Sequence, residues 1–214
     1  MSKDEVDDSF AILVKNIWKR FGSYILSVVL VIILLLSGLK YWHKHEESQE
    51  VDASILYQSM LFEYQETLGS TSSQEVLITK GNQLMTGYKS TVYAKFAGLL
   101  LASVYISNDN TSSAENALEW VRNNAKDPVI YTIVSERLAR VMIYKKDYQK
   151  AIKILISNKL DKNFLVSNKL ILGEAYAKQN NVMQAKKEWV LALDGSNDKS
   201  MKNLISMKIN NLNI

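Results

Sequence analysis

Two stretches of the chain decide its fold: SERLARVMIYKKDYQKAIKIL, residues 135–155, and NKLILGEAYAKQNNVMQAKKEW, residues 168–189. Shifted by 34 residues, they align without a gap. The paired positions include Leu138 with Leu172, Ala139 with Gly173, Ala151 with Ala185, and Leu155 with Trp189. A 34-residue period is typical of helical repeats in which each unit is a hairpin of two antiparallel helices. Small residues at the paired positions allow the two helices to approach closely, and large residues fill the space between hairpins.

A third copy of the repeat lies upstream, at residues 94–121, but 37 residues before the next copy. Its matching positions are Ala102, Tyr105, Ala114 and Leu118. The three extra residues fit a longer loop at residues 123–128, where Asp127 followed by Pro128 is typical of a helix start. Ser112 with Glu115 forms a capping-box pattern and predicts another helix start.

The sequence therefore predicts an all-α fold, a tetratricopeptide-like α-solenoid of helical hairpins over residues 92–198. Residues 199–214 form a C-terminal capping helix in this interpretation, because a solenoid needs an element over its last apolar face. Its apolar residues are Met201, Leu204, Ile205, Ile209 and Leu212. Residues 43–91 are expected to form a stalk helix and an N-terminal helical hairpin.

The other decisive stretch is FGSYILSVVLVIILLLSGL, residues 21–39, which contains no charge. As a helix it spans roughly 28 Å, close to the ~30 Å hydrocarbon core of a bilayer. Trp18 and Trp42 flank it, as is typical of membrane interfaces. We therefore predict a single transmembrane helix over residues 21–42. A cleaved signal peptide is the less favoured alternative, because its apolar core is shorter and ends at a small-residue cleavage site. A buried helix of a soluble protein is less favoured too, because it normally carries a polar stripe.

Basic residues on the two sides of this segment predict its orientation. Four lie before it and two after it: Lys3, Lys15, Lys19 and Arg20 against Lys40 and Lys44. The positive-inside rule then predicts a cytoplasmic tail at residues 1–20 and a C-terminal domain across the membrane, which in a Gram-negative bacterium is the periplasm. Gly22, Ser23 and Ser27 are small residues that are candidates for packing against another transmembrane helix.

Composition excludes several classes of function. The 214 residues carry a net charge of +4 that is not concentrated in any block, so no nucleic-acid-binding surface is predicted. There is no cysteine, which removes thiol nucleophiles and cysteine metal sites. One proline and eight glycines favour helices over a sheet with many turns.

The sequence contains no recognisable catalytic, cofactor-binding or metal-binding motif. The two histidines, His43 and His45, fall on different helix faces. His43 and Glu47 have helical i, i+4 spacing, but two ligands seldom make a metal site, so we predict none. Phosphate-binding loops and nucleophile–base sets are absent as well, so we do not expect an enzyme.

The concave side of such a solenoid, lined by the first helix of each hairpin, is its expected ligand surface. Repeat geometry places six residues there as candidates for binding a protein: Glu136, Arg140, Ile143, Leu170, Glu174 and Ala177. Arg140 and Glu174 are candidates for direct contact with a protein segment. The alternative is that these two side chains only pair with each other or with water.

Several segments along the whole chain resemble the YfgM family of single-pass inner-membrane proteins. The matching segments are YWHKH at 41–45, ERLARV at 136–141, GEA at 173–175, AKKEW at 185–189 and MKINNL at 207–212. The last of these is the most specific.

The resemblance implies an ancillary subunit of the SecYEG translocon with a periplasmic tetratricopeptide-like domain. It implies association with the membrane-anchored chaperone PpiD, and transfer of translocating polypeptides to periplasmic chaperones. Two other functions remain open: an independent holdase, which would suppress aggregation without a partner, and an adaptor whose domain faces the cytoplasm.

Overall fold

The structure, a computed structural model, describes residues 3–67, 74–157 and 160–212, and most of these residues are helical. No strand occurs within these ranges, so the all-α prediction is confirmed there. The helices are α1 (Lys3–Thr67), α2 (Gln74–Gly87), α3 (Val92–Ser107), α4 (Thr111–Asn124), α5 (Pro128–Tyr144), α6 (Tyr148–Leu155), α7 (Leu165–Lys178), α8 (Val182–Gly195) and α9 (Lys199–Asn210). A 3₁₀ turn, Lys162–Phe164, precedes α7.

The three hairpins α3–α4, α5–α6 and α7–α8 share one turn geometry. At each turn a left-handed residue ends the first helix: Asp109 (φ 56°), Lys146 (φ 63°) and Asn180 (φ 63°). The next residue, Asn110, Asp147 or Asn181, caps the second helix with its side chain. Its own N–H donates to the carbonyl five residues earlier, at 2.8, 2.9 and 2.9 Å. These positions are 37 and then 34 residues apart, which confirms the register of the repeat.

The start of α5 is also as predicted, but the start of α4 is not. The Asp127 side chain accepts hydrogen bonds from the N–H groups of Val129 and Ile130 at 2.8 and 3.0 Å. Helix α4, in contrast, is capped two residues before the Ser112 of the capping-box pattern. Its cap is Asn110, because the hairpin turn already places that side chain over the Ser113 N–H.

Small residues let the paired helices pack closely, as the alignment predicts. Those at the repeat positions are all buried: Ala102, Ala114, Ala139, Ala151, Gly173 and Ala185. In the last hairpin the Trp189 indole lies directly over Gly173, where a Cβ atom would overlap the ring. The Trp189 Nε1–H also donates to the carbonyl of Leu170 at 3.0 Å. The close approach of α7 and α8 therefore depends on a residue without a side chain.

The chain divides into two compact units, Met1–Gln49 and Glu50–Ile214. The second unit begins with the last part of α1, which packs on α2 and α3 through Ala53 and Met60, both fully buried. Lys80 of α2 donates hydrogen bonds to Ser59 and Glu63 of α1, each at 2.7 Å. This contact starts the row of helices that the hairpins continue.

Helix α9 packs at the other end of the row, against α8. Ile205 is fully buried beside Trp189 and Ala192, and Met201, Ile209 and Leu212 are partly buried there. Leu204, which the sequence places on the same apolar face, is instead 45% exposed. The buried face of α9 is therefore narrower than the pattern predicts. The five-part division of the chain made from the sequence stays a prediction.

The first unit consists of the first part of α1, in which only some of the side chains are described. Those of Tyr24, Leu26, Val28 and residues 30–36 are exposed apolar groups. Among the described residues, no helix meets the length and apolarity needed to cross a membrane. Gly22 lies against the Trp18 ring, and Ser27 is exposed. The side chain of Ser23 lies outside the described residues.

Candidate functional site

Two adjoining cavities lie on the face of the second unit that includes α5. The first, of about 330 Å³, is lined by Ile106, Asp109, Thr111, Arg137, Arg140, Val141 and Tyr144. The second, of about 440 Å³, is lined by Arg140, Ile143, Tyr144, Lys146, Tyr148, Glu174 and Lys178. Because both contain Arg140 and Tyr144, they form one depression that crosses α5 from the α3 side to the α7 side. We call it the α5 groove.

Three of the six residues that the sequence proposes for protein binding come together in this groove. Arg140, Ile143 and Glu174 all line its second cavity. No ion pair joins Arg140 to Glu174 in the described part of the chain. Their role in binding stays a prediction.

The other three candidates do not line the groove. Glu136 is half-buried and accepts a hydrogen bond from the Ser167 hydroxyl at 2.6 Å. Leu170 and Ala177 pack in the cluster beneath α8 and α9. All three residues pack or bond α7 against its neighbours. They support the helix that forms one side of the groove and do not face a ligand in it.

Burial raises the pKa of Glu136 above its usual value, opposed by the Ser167 hydrogen bond and by the nearby Arg140. Protonation of this carboxyl is therefore favoured by folding.

Sequence reasoning missed nine of the twelve lining residues, among them Arg137, Tyr144, Lys146 and Lys178. Helical spacing was the available signal for two of them, because Arg137, Arg140 and Tyr144 are three and four residues apart and share a face of α5. Lys146 reaches the groove through the left-handed turn, whose position follows the repeat but whose residue type gives no signal.

The lining of the groove has more cations than acids, and Glu136 behind it lies near enough to Arg140 for their charges to interact. Within the described residues, none of Arg137, Arg140, Lys146 and Lys178 forms an ion pair. The acidic groups of the lining are Asp109, only in the first cavity, and Glu174, only in the second. Arg140 and Tyr144 lie where the two cavities meet. Each cavity therefore has more positive than negative side chains in its lining.

Neighbouring lysines on the other side of the hairpin behave differently. Glu115 of α4 binds both Lys145 and Lys150, and Lys150 also binds Glu119 at 2.8 Å. These bonds, chiefly that from Lys145, hold the pKa of Glu115 below its usual range. The pKa of Lys150 is raised by the same carboxylates. This network joins two hairpins and leaves the groove cations available.

No group of three or more metal-binding side chains occurs among the described residues. Every buried side-chain nitrogen or oxygen described has a hydrogen-bond partner. The groove thus presents exposed charges and apolar surface rather than a buried reactive group.

A row of helical hairpins with an open groove across the first helix of one of them is consistent with a tetratricopeptide scaffold. The sequence matches the profile of the tetratricopeptide repeat-like domain family over residues 15–214, and the chain belongs to that family.

Within that class the chain is similar to proteins named ancillary SecYEG translocon subunit, which confirms the resemblance noted from the sequence. The relative from Neisseria gonorrhoeae is 24% identical over 199 residues, covering 92% of this chain and 93% of the relative. Those from Escherichia coli and Haemophilus influenzae are 24% and 26% identical, each over more than nine-tenths of both chains. No solved structure matches the chain significantly.

Proposed function

We propose that this protein is a membrane-anchored scaffold that associates with the SecYEG translocon and has no enzymatic activity. Similarity to ancillary translocon subunits over almost the full length supports the association. The observation that carries the proposal is the α5 groove, an open surface with unpaired charges on a repeat scaffold. Such a surface suits binding of another polypeptide.

The anchor in this proposal is the transmembrane helix at residues 21–42. It is supported by nineteen consecutive uncharged residues and by the aromatic and basic residues at both ends. The described apolar side chains of this segment are exposed, and a bilayer would cover them. The excess of basic residues before the segment favours a cytoplasmic N-terminus and a periplasmic domain at the bacterial inner membrane.

The partners proposed beyond the translocon are a PpiD-like membrane-anchored chaperone and the translocating polypeptides that it receives. They follow from the family resemblance, and a scaffold with a polypeptide-binding groove is compatible with both. The protein would hold the chaperone near the exit of the translocon, so that emerging chains pass to periplasmic chaperones.

The double variant Arg140→Ala/Glu174→Ala tests whether the groove binds these partners. Both side chains line the second cavity and neither forms an ion pair in the described part of the chain, so the fold should tolerate their loss. We expect less chaperone and translocon to co-purify from detergent-solubilised membranes. The control is Lys186→Ala/Lys187→Ala on the exposed side of α8. Unchanged co-purification with the folded groove variant would refute the proposed binding surface.

A further inference from the structure

We propose that the α5 groove selects an extended polypeptide segment in which acidic side chains flank an apolar or aromatic one. This inference rests on the proposed function only in taking the groove as a polypeptide-binding surface. It adds the chemistry of the segment that the groove accepts.

The charge of the lining supports an acidic ligand. Four cations, Arg137, Arg140, Lys146 and Lys178, face two acids across the two cavities. In the same region Lys145 and Lys150 are held by Glu115 and Glu119, which shows that carboxylates are available to nearby lysines. The groove cations nevertheless form no ion pair among the described residues, although Glu136 lies near enough to Arg140 for their charges to interact. A ligand carboxylate would therefore gain charge-assisted hydrogen bonds without displacing an existing ion pair.

The apolar part of the lining supports an apolar side chain between the acids. Tyr144 is 70% exposed and stands at the junction of the two cavities, and Ile106 is 46% exposed in the first. Ile143 adds a half-buried apolar surface in the second cavity. Covering such aromatic and aliphatic surface is a large favourable contribution to binding.

The positions of the two acids in the groove limit where the ligand charge lies. Asp109 lines only the first cavity and Glu174 only the second, whereas Arg140 lines both. Like charges repel, so ligand carboxylates are favoured near Arg140, Arg137 and Lys178 rather than beside Asp109 or Glu174. A segment that fills both cavities must cross α5, and an extended chain does so with alternate side chains directed into the groove.

Binding of two short labelled peptides to the full-length protein in detergent tests the inference. In one fluorescein-labelled peptide of about eight residues, reaching about 27 Å when extended, glutamate and leucine take turns at every second position with serine between them, so that both face the groove. The other replaces each glutamate by lysine. We expect fluorescence anisotropy to show binding of the glutamate peptide, weakened by added salt, and at least about tenfold weaker binding of the lysine peptide.

Groove variants complete the experiment. Arg137→Ala/Arg140→Ala should weaken binding of the glutamate peptide by about tenfold or more, and Lys178→Glu should weaken it too. Lys186→Ala/Lys187→Ala on α8 removes the same number of charges outside the groove and should leave binding unchanged. Circular dichroism melting shows whether each variant is folded. If the double variant is unfolded, the effect of Lys178→Glu on peptide binding tests the inference alone.

Equal binding of the two peptides, no binding of either, or binding unaffected by the groove variants would overturn the inference. These outcomes are distinguishable from failure of the proposed function. Peptide selectivity without translocon co-purification leaves the inference standing and refutes the association. Co-purification that depends on the groove, without peptide selectivity, supports the association and refutes the inference about the ligand.

Discussion

At the scale of single residues, Gly173 lies directly against the Trp189 indole in the last hairpin. A methyl group at residue 173 would overlap the ring, which is fixed by its hydrogen bond to the Leu170 carbonyl. We expect Gly173→Ala to destabilise the protein by about 1–3 kcal/mol, because overpacking outweighs the better helix propensity of alanine. Thermal unfolding of the full-length protein in detergent measures the change.

Gly87→Ala is the matched control for this substitution. Gly87 is the last residue of α2, and nothing lies within 4 Å of the position that its Cβ would take. This variant should be neutral or slightly stabilising. An equal effect of the two substitutions would contradict the role assigned to the Gly173 contact.

The repeats within the sequence predict the closely packed positions but not the residues of the turns. Alanine and glycine pairs at the repeat positions reveal close helix packing, because that packing excludes larger side chains. The left-handed residues repeat at the same position, but Asp109 and Asn180 are types that tolerate positive φ, whereas Lys146 is not. The turn therefore gives no common residue type to recognise, and the placement of Lys146 in the groove could not be predicted.

At the scale of helices, α9 covers the last apolar face of the row through Ile205. This side chain is fully buried against Trp189 and Ala192, so Ile205→Ala should cost about 2–5 kcal/mol of unfolding free energy. Met207 lies on the same helix but is 63% exposed, and Met207→Ala should change stability by less than about 0.5 kcal/mol. Comparable loss of stability in both variants, measured by thermal unfolding, would show that α9 is not held by this face.

The Glu115 network between α4 and the α5–α6 hairpin gives a pH-dependent prediction. Bonds from Lys145 and Lys150 lower the pKa of Glu115 in the folded protein. Unfolded, the carboxyl titrates near its usual value of about 4.3. Its stabilising contribution is therefore complete above that pH and is lost as the pH falls through the lowered folded value.

Glu115→Gln should consequently lower stability at pH 7, by up to about 1 kcal/mol because Lys150 is partly exposed. The difference from the wild-type protein should shrink below about pH 4. Melting temperatures of the two proteins from pH 7 to pH 3 provide the comparison. A gap that stays constant with pH would assign the effect to packing rather than to charge.

At the scale of the whole molecule, periodicity predicted the helical hairpins and their order, because the repeat is a property of packing that recurs along the chain. The groove was predicted only in part. Arg140, Ile143 and Glu174 followed from repeat geometry, but Glu136, Leu170 and Ala177 lie behind its walls. The repeat period alone cannot distinguish a side chain that lines the groove from one that the next helix covers.

The proposed anchor is also a whole-molecule feature. If Gly22, Ser23 and Ser27 pack against another transmembrane helix, replacing residues 21–39 by a polyleucine helix should reduce recovery of the complex with translocon subunits. The substituted protein should still fractionate with membranes. Unchanged recovery would reduce this segment to a simple tether.

The most direct test of the account is photo-crosslinking in intact membranes from Tyr144, at the junction of the groove. With a photoreactive amino acid at this position, the account predicts crosslinks to translocon subunits, a membrane-anchored chaperone or translocating chains, identified by mass spectrometry. The same group at Lys186 on α8 should give few of them. Absence of these partners from the Tyr144 crosslinks, or equal recovery from both positions, would contradict a translocon scaffold that acts through the α5 groove.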